Sequence, residues 1–167
     1  MANRKYEFTG QTKEFLGRTL KQIRAIVSFG TVVQGEIGGW IEAEANLQVS
    51  GNAWVYGNAW VSDNARVSGN ARVYDNARVS GDAQVYGDAD FLLIGPLGSR
   101  GDPLCIHADL KLGVRFTTGC FSGTELQLKE AISKTHGDNE YAKQYRAAIE
   151  LASLVVRPAK AEKKEAA

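Results

Sequence analysis

The chain has 167 residues, 44% of them hydrophobic, an ordinary composition for one or two compact units. A formal net charge of +1 argues against the broad basic field that nucleic acid or an anionic membrane surface would need. No apolar run reaches the length of a membrane span, and the opening MANRKYEFTGQTKEF has no apolar stretch of signal-peptide length, so a cytoplasmic protein is expected.

Residues 5–30, KYEFTGQTKEFLGRTLKQIRAIVSFG, read as short strands, with RTLKQIRAI alternating loosely. GEIGGWIE, residues 35–42, leads into a repetitive central segment. Gly38 and Gly39 suggest a tight corner there, and Trp40 a plug.

In that central segment Val49, Val55, Val61, Val67, Val73, Val79 and Val85 recur every sixth residue, and Phe91 takes the next place. Ala53, Ala59, Ala65, Ala71, Ala77, Ala83 and Ala89 keep the same step, as do Asn or Asp from Asn52 to Asp88 and Gly or Asp from Gly51 to Gly87. A period of six fits neither a helix nor a heptad. It is even, so a strand would keep every Val on one face, but Gly-Asn interrupts each strand. The pattern therefore predicts a short strand and a corner, repeated: Val inward, Ala at the crowded corner, Asn and Gly in corner conformations that other residues resist. Three strands and three corners close one coil of about 18 residues, and coils stack about 4.8 Å apart like strands of a parallel sheet.

The spacing of an aliphatic residue and a small one four places later, as in Val55 to Ala59, Val61 to Ala65 and Val67 to Ala71, resembles the hexapeptide-repeat proteins. Ser or Tyr follows each Val here, where that family often has Gly, Ala, Asp or Glu. The resemblance implies a mainly β chain: a left-handed parallel β-helix of about three coils over residues 33–94. It would have an N-terminal β cap over 1–32, an α+β cap over 95–157 ending in two helices, and a disordered tail over 158–167. The left hand comes from the resemblance alone, because the general crossover rule gives the opposite one. The segments KYEF, GGWIE, IGPLGSR, GCFSGT and THGDNEYA are similar to those of an uncharacterised group of bacterial and phage-associated hexapeptide-repeat proteins.

Residues flanking each Val should point outward. Eighteen residues return to the same face, so Trp54 lies under Arg72, Tyr56 under Tyr74, Trp60 under Arg78 and Arg66 under Gln84. Arg66, Arg72 and Arg78 then ring one coil, one per face. The face of Trp54, Tyr56, Arg72 and Tyr74 is the most aromatic. It is readable as Arg-on-Trp and Tyr-on-Tyr stacks within the chain, or as a binding surface, since Trp, Tyr and Arg are enriched at interface hot spots.

After the repeat, residues 94–103 read as a Gly/Pro loop, and PLCIHA and GVRFTTGCF as strands. Thr124 to Gln127 forms a capping box for a helix running to about Lys134 and ending at His136-Gly137, and Asp138 caps a second helix. That second helix should carry Tyr141, Tyr145, Ala148, Ile149, Ala152 and Val155 on one face. Cys105, His107, Cys120 and His136 have the residue types of a zinc site, but their spacing matches no common pattern; Cys120 with a His136 base would lack an orienting group. Buried structural cysteines are the simpler expectation, with no metal and no cofactor. The loop GSRGD offers backbone N–H groups and Arg100 to an anion, without matching a phosphate-loop fingerprint.

Three functions are compatible with this pattern. The first is a non-enzymatic oligomeric binding protein, a homotrimer as the resemblance implies. It would use Trp54, Tyr56, Trp60, Arg66, Arg72, Tyr74, Arg78 and Arg100, or clefts between subunits, to bind a host protein or a small anionic, nucleotide-like ligand. If the chain is phage-encoded, that places it in the host cytoplasm, acting against a host defence. The second is an acyltransferase, which the resemblance permits, although the strict repeat contains no His for a general base. The third is a structural module that assembles or caps a larger particle.

Overall fold

A computed structural model describes residues 4–87 and 90–159. The repeat positions Asp88 and Ala89 and residues 160–167 of the expected tail lie outside the described residues.

The hexads form two-residue strands, each ending in Val: β4 (Trp54–Val55), β5 (Trp60–Val61), β6 (Arg66–Val67), β7 (Arg72–Val73), β8 (Arg78–Val79) and β9 (Gln84–Val85). They pair in parallel as β4 with β7, β5 with β8 and β6 with β9, putting Val55 on Val73, Val61 on Val79 and Val67 on Val85. These valines, and Ala53, Ala59, Ala65, Ala71, Ala77 and Ala83, are all fully buried. The three sheets are separate and none closes on another.

The corner residue explains the alternation of Gly with Asp. Gly51, Gly57, Asp63, Gly69, Asp75 and Gly81 all have positive φ, between 55° and 73°. Glycine enters this region freely, and Asp and Asn tolerate it better than other side chains. At two of these corners the close approach of backbone also requires glycine. A Cβ on Gly51 or Gly69 would meet the backbone of the next coil at 2.5 or 2.6 Å, whereas one on Gly57 would find its nearest neighbour at 3.9 Å.

The phase of the repeat changes at its start. Val49 is exposed, and Leu47 takes the inward place, bridging to Val67. A single 3-10 turn, Glu44–Asn46, resets the chain, with the Asn46 amide donating to the carbonyls of Asp63 and Ala65 at 3.0 and 2.9 Å. The far end also departs from the hexad pattern. Phe91 is buried against the solenoid core but opens a long strand that pairs with another part of the chain.

The N-terminal strands extend one solenoid face. β1 (Tyr6–Phe15) and β2 (Arg18–Ala25) form an antiparallel hairpin turning at Leu16-Gly17; β2 pairs with β3 (Ile37–Ile41), and β3 pairs in parallel with β5. Gly38 and Gly39 are needed here, because a Cβ on either would strike Trp54 or the Val55 and Ala59 carbonyls within 2.8 Å. Trp40 is half-buried, with the Lys13 ammonium 4.4 Å from its ring.

The C-terminal part is an antiparallel sheet of β10 (Phe91–Leu97), β11 (Asp102–Asp109), β12 (Gly113–Thr118) and β13 (Phe121–Gly123). The segment expected as a loop over 94–103 is thus largely a hairpin, because Ile94 pairs with Leu104 and Leu97 with Asp102. One face packs Leu104, Ile106 and Phe116 against α1 (Glu125–His136) and α2 (Glu140–Val155). Thr124 caps α1 as its sequence implies. Asn139, and not Asp138, caps α2, accepting from the Ala142 N–H at 3.1 Å, while Asp138 pairs with Arg146. The buried face of α2 is Ala142, Tyr145, Ala148, Ile149 and Ala152; Tyr141 and Val155, expected on it, are exposed. Among the described residues no helix is long and apolar enough to cross a membrane.

The other face of β11 covers the end of the solenoid. The Cys105 thiol donates to the Arg78 carbonyl at 3.0 Å, Ala83 bridges to Asp109, and the Leu110 N–H reaches the Asp82 carbonyl at 3.0 Å. The open backbone edge of the last strands is paired rather than left to solvent.

Candidate ligand-binding groove

The added elements, more than the repeat, decide which outward residues stay accessible. Trp54 and Trp60, expected on the surface, are 0% and 7% exposed. Tyr6 and Phe29 meet the Trp54 ring edge-on, with centroids 6.3 and 5.4 Å away, and Phe15 lies 5.0 Å from Trp60. The N-terminal hairpin and the turn after it therefore turn two outward tryptophans into core. Lys5 is buried beside them: its ammonium lies 4.8 Å from the Phe29 ring and donates to the Ala53 carbonyl at 2.7 Å, and burial pushes its pKa down to about 8.

Arg78 is also occupied. Its guanidinium lies 4.9 Å from the Phe15 ring and donates to the Gly119 carbonyl, so it ties the N-terminal hairpin, the solenoid and the C-terminal sheet together. Arg72 does not stack on Trp54, although the two are register partners as their spacing implies. Arg66 is exposed over a third face, with Gln84 its buried partner in register. Arg100 sits on the β10–β11 turn beside Asp102, at 3.5 Å.

Tyr56, Arg72 and Tyr74 come together. They line one open groove of about 910 Å³ between the β4–β7 face and the β10–β11 hairpin. Its floor is the solenoid corner of Gly57, Asn58, Asp75 and Asn76, and its far wall is Leu93, Gly95, Pro96, Gly101 and Pro103. Thr31 closes one end, its hydroxyl 3.4 Å from that of Tyr56. Tyr74 is 44% exposed and leans edge-on against Phe91 at 6.0 Å. Arg72 is exposed and has no ion pair, hydrogen bond or ring partner among the described residues. The groove thus offers one free cation, two phenol rings, two side-chain amides and one carboxylate above an apolar wall. Flat rings stack on tyrosine, and a guanidinium binds phosphate or carboxylate through paired N–H donors. The wall was not legible in the sequence because the hairpin that supplies it reads as loop.

The four candidate zinc residues do not gather. Cys105 and His107 are buried where β11 meets the solenoid, Cys120 is exposed beyond β12, and His136 stacks on Tyr145 at 6.0 Å at the end of α1. Among the described residues no group of three or more His, Cys, Asp or Glu is arranged to hold a metal. Burial pushes the Cys105 thiol up to about 12, so it is no nucleophile, and pushes His107 down to about 4. Next to His107, Asp109 takes the Arg115 guanidinium at 2.7 Å. Burial alone would raise its pKa, but Arg115 and the N–H groups of Leu112 and Lys111 outweigh that and hold it below the ordinary carboxylate range.

A family model described as the YdcK β-solenoid repeat matches residues 47–63, 61–73, 65–81 and 71–87. The middle of the chain is therefore a β-solenoid repeat. No curated protein matches the chain.

Proposed function

We propose that the chain is a non-enzymatic binding protein that takes a small anionic, nucleotide-like ligand into the groove of Tyr56, Arg72 and Tyr74. The observation that carries this is Arg72: a guanidinium with no partner among the described residues, in a groove of about 910 Å³ that also contains two tyrosine rings. The guanidinium would take the phosphate, and the rings would take the flat base. Neither histidine lines the groove, so the acyltransferase alternative has no base beside it. The left hand of the solenoid and a homotrimeric state belong to the same reading. The resemblance to hexapeptide-repeat proteins supports the first. The same resemblance supports the second, and Arg66 stands exposed on the third solenoid face.

Equilibrium titration of mononucleotides into the protein tests the reading. Arg72→Ala sits on an exposed position and should leave the fold intact while weakening binding by about 10- to 100-fold, the worth of a charge-assisted hydrogen-bonded contact. Equal affinity in the variant would exclude the groove as the site. Capture of a host protein lost on the same substitution would favour a protein ligand at the same place.

A further inference from the structure

Three corners of the solenoid stack side chains one coil apart, and two of them spend those side chains on each other. At the first, the Asn52 amide donates to the Asn70 carbonyl oxygen at 3.2 Å. At the third, Asn64 donates to Asp82 at 3.3 Å, and Asp63 takes both the Gly81 N–H at 3.0 Å and an ion pair from Arg18. The second corner forms the groove floor and breaks the pattern. Asn58 and Asn76 hold the equivalent positions but make no bond to each other, and Asp75, which takes the same hexad place as Asp63 but one coil higher, has no hydrogen-bond or ion-pair partner among the described residues. The same corner is open, as the space around Gly57 shows. Asp75 stands at φ 58°, a conformation that disfavours ordinary L side chains.

A corner that repeats the same residue types without their usual bonds leaves one carboxylate and two amides facing a groove. We infer that Asp75 reads a hydrogen-bond donor edge on the ligand, flanked by the Asn58 and Asn76 amides, an inference that rests on the groove being the ligand site. The ligand class is a nucleotide whose base presents two adjacent N–H donors, as guanine does, its phosphate resting on Arg72. An ionised carboxylate only accepts, through two oxygens, and so matches a pair of parallel donors. A uracil edge, which carries an acceptor on each side of its single N–H, would set a lone pair against the carboxylate.

The test is a calorimetric titration of GMP, UMP and guanosine into wild-type protein, Asp75→Asn and Arg72→Ala. Asn tolerates the left-handed conformation, so the variant keeps the corner. GMP should bind wild type at least about 10-fold more tightly than UMP, and Asp75→Asn should remove most of that preference. Guanosine should keep sensitivity to Asp75→Asn and lose sensitivity to Arg72→Ala. Equal binding of GMP and UMP, both weakened by Arg72→Ala, would overturn the donor-edge inference and leave the groove reading standing. No binding of any nucleotide to wild type would overturn both.

Discussion

The two hairpins treat the solenoid differently. The N-terminal hairpin lies flush on its face: Phe15 covers Trp60, Tyr6 and Phe29 enclose Trp54, and Lys13 covers Trp40. The β10–β11 hairpin meets the solenoid at Cys105 and Asp109 and then diverges, leaving Tyr56, Arg72 and Tyr74 facing Leu93, Pro96 and Pro103 across open space. Trp54, Trp60 and Arg72 precede a Val and Tyr56 and Tyr74 follow one, so all flank an inward residue of the repeat. Whether an outward aromatic becomes core or site is decided by the element laid over it.

Substituting one aromatic on each side gives the largest contrast. Trp54→Ala removes a fully buried indole and should cost about 3–5 kcal/mol in chemical denaturation, a loss of both transfer energy and packing. A loss below about 1 kcal/mol would mean that the N-terminal hairpin does not seal that face.

An intermediate effect is expected at the other end, where β11 closes the solenoid. His107 is 0% exposed, and burial pushes its pKa down to about 4 from an ordinary 6.5. The unfolded chain takes up a proton near 6.5, while the folded chain resists until about 4. Stability supplied by this group is therefore complete above 6.5 and falls by about 3 kcal/mol as pH drops through that window. Urea unfolding of wild type and His107→Leu at steps from about pH 7 to about pH 4 isolates it from other acids. The variant should show a shallower slope, and identical slopes would remove His107 as the acid-sensitive joint.

The smallest effect on stability belongs to Tyr74→Ala. The residue is nearly half exposed and leans on the core through Phe91, so its loss should cost under about 1 kcal/mol. Its expected effect is on ligand affinity instead. A large loss of stability with unchanged affinity would place Tyr74 with Trp54, as packing.

The inward set was readable because it is periodic: Val55 to Val85 and their alanines need only the step of six. The Gly corners were readable for the same reason, but the Asn beside each, expected to share that conformation, does not take positive φ, whereas Asp63 and Asp75 do. Thr124 was readable as a local cap. The shift from Val49 to Leu47 was not, because a three-residue turn resets the phase without leaving a signal in the pattern. The burial of Trp54 depends on Tyr6 and Phe29, distant in sequence and unremarkable in composition. Residues 94–103 carry Gly and Pro that mark a loop, yet Ile94 pairs with Leu104 and Leu97 with Asp102, which makes part of them a strand. Of the outward residues singled out in the sequence, Tyr56, Arg72 and Tyr74 share the groove, while Trp54, Trp60 and Arg78 are engaged within the chain. That division requires the caps to be placed, which no single-residue rule does.

The most direct test of the central claim is where the ligand lands. Amide chemical shifts recorded while GMP is titrated into labelled protein locate it residue by residue. Shifts concentrated at Gly57, Asn58, Arg72 to Asn76 and Leu93 to Gly101 are the expected result. Shifts confined to the Arg66 face or to the helices, with the groove silent, would contradict it.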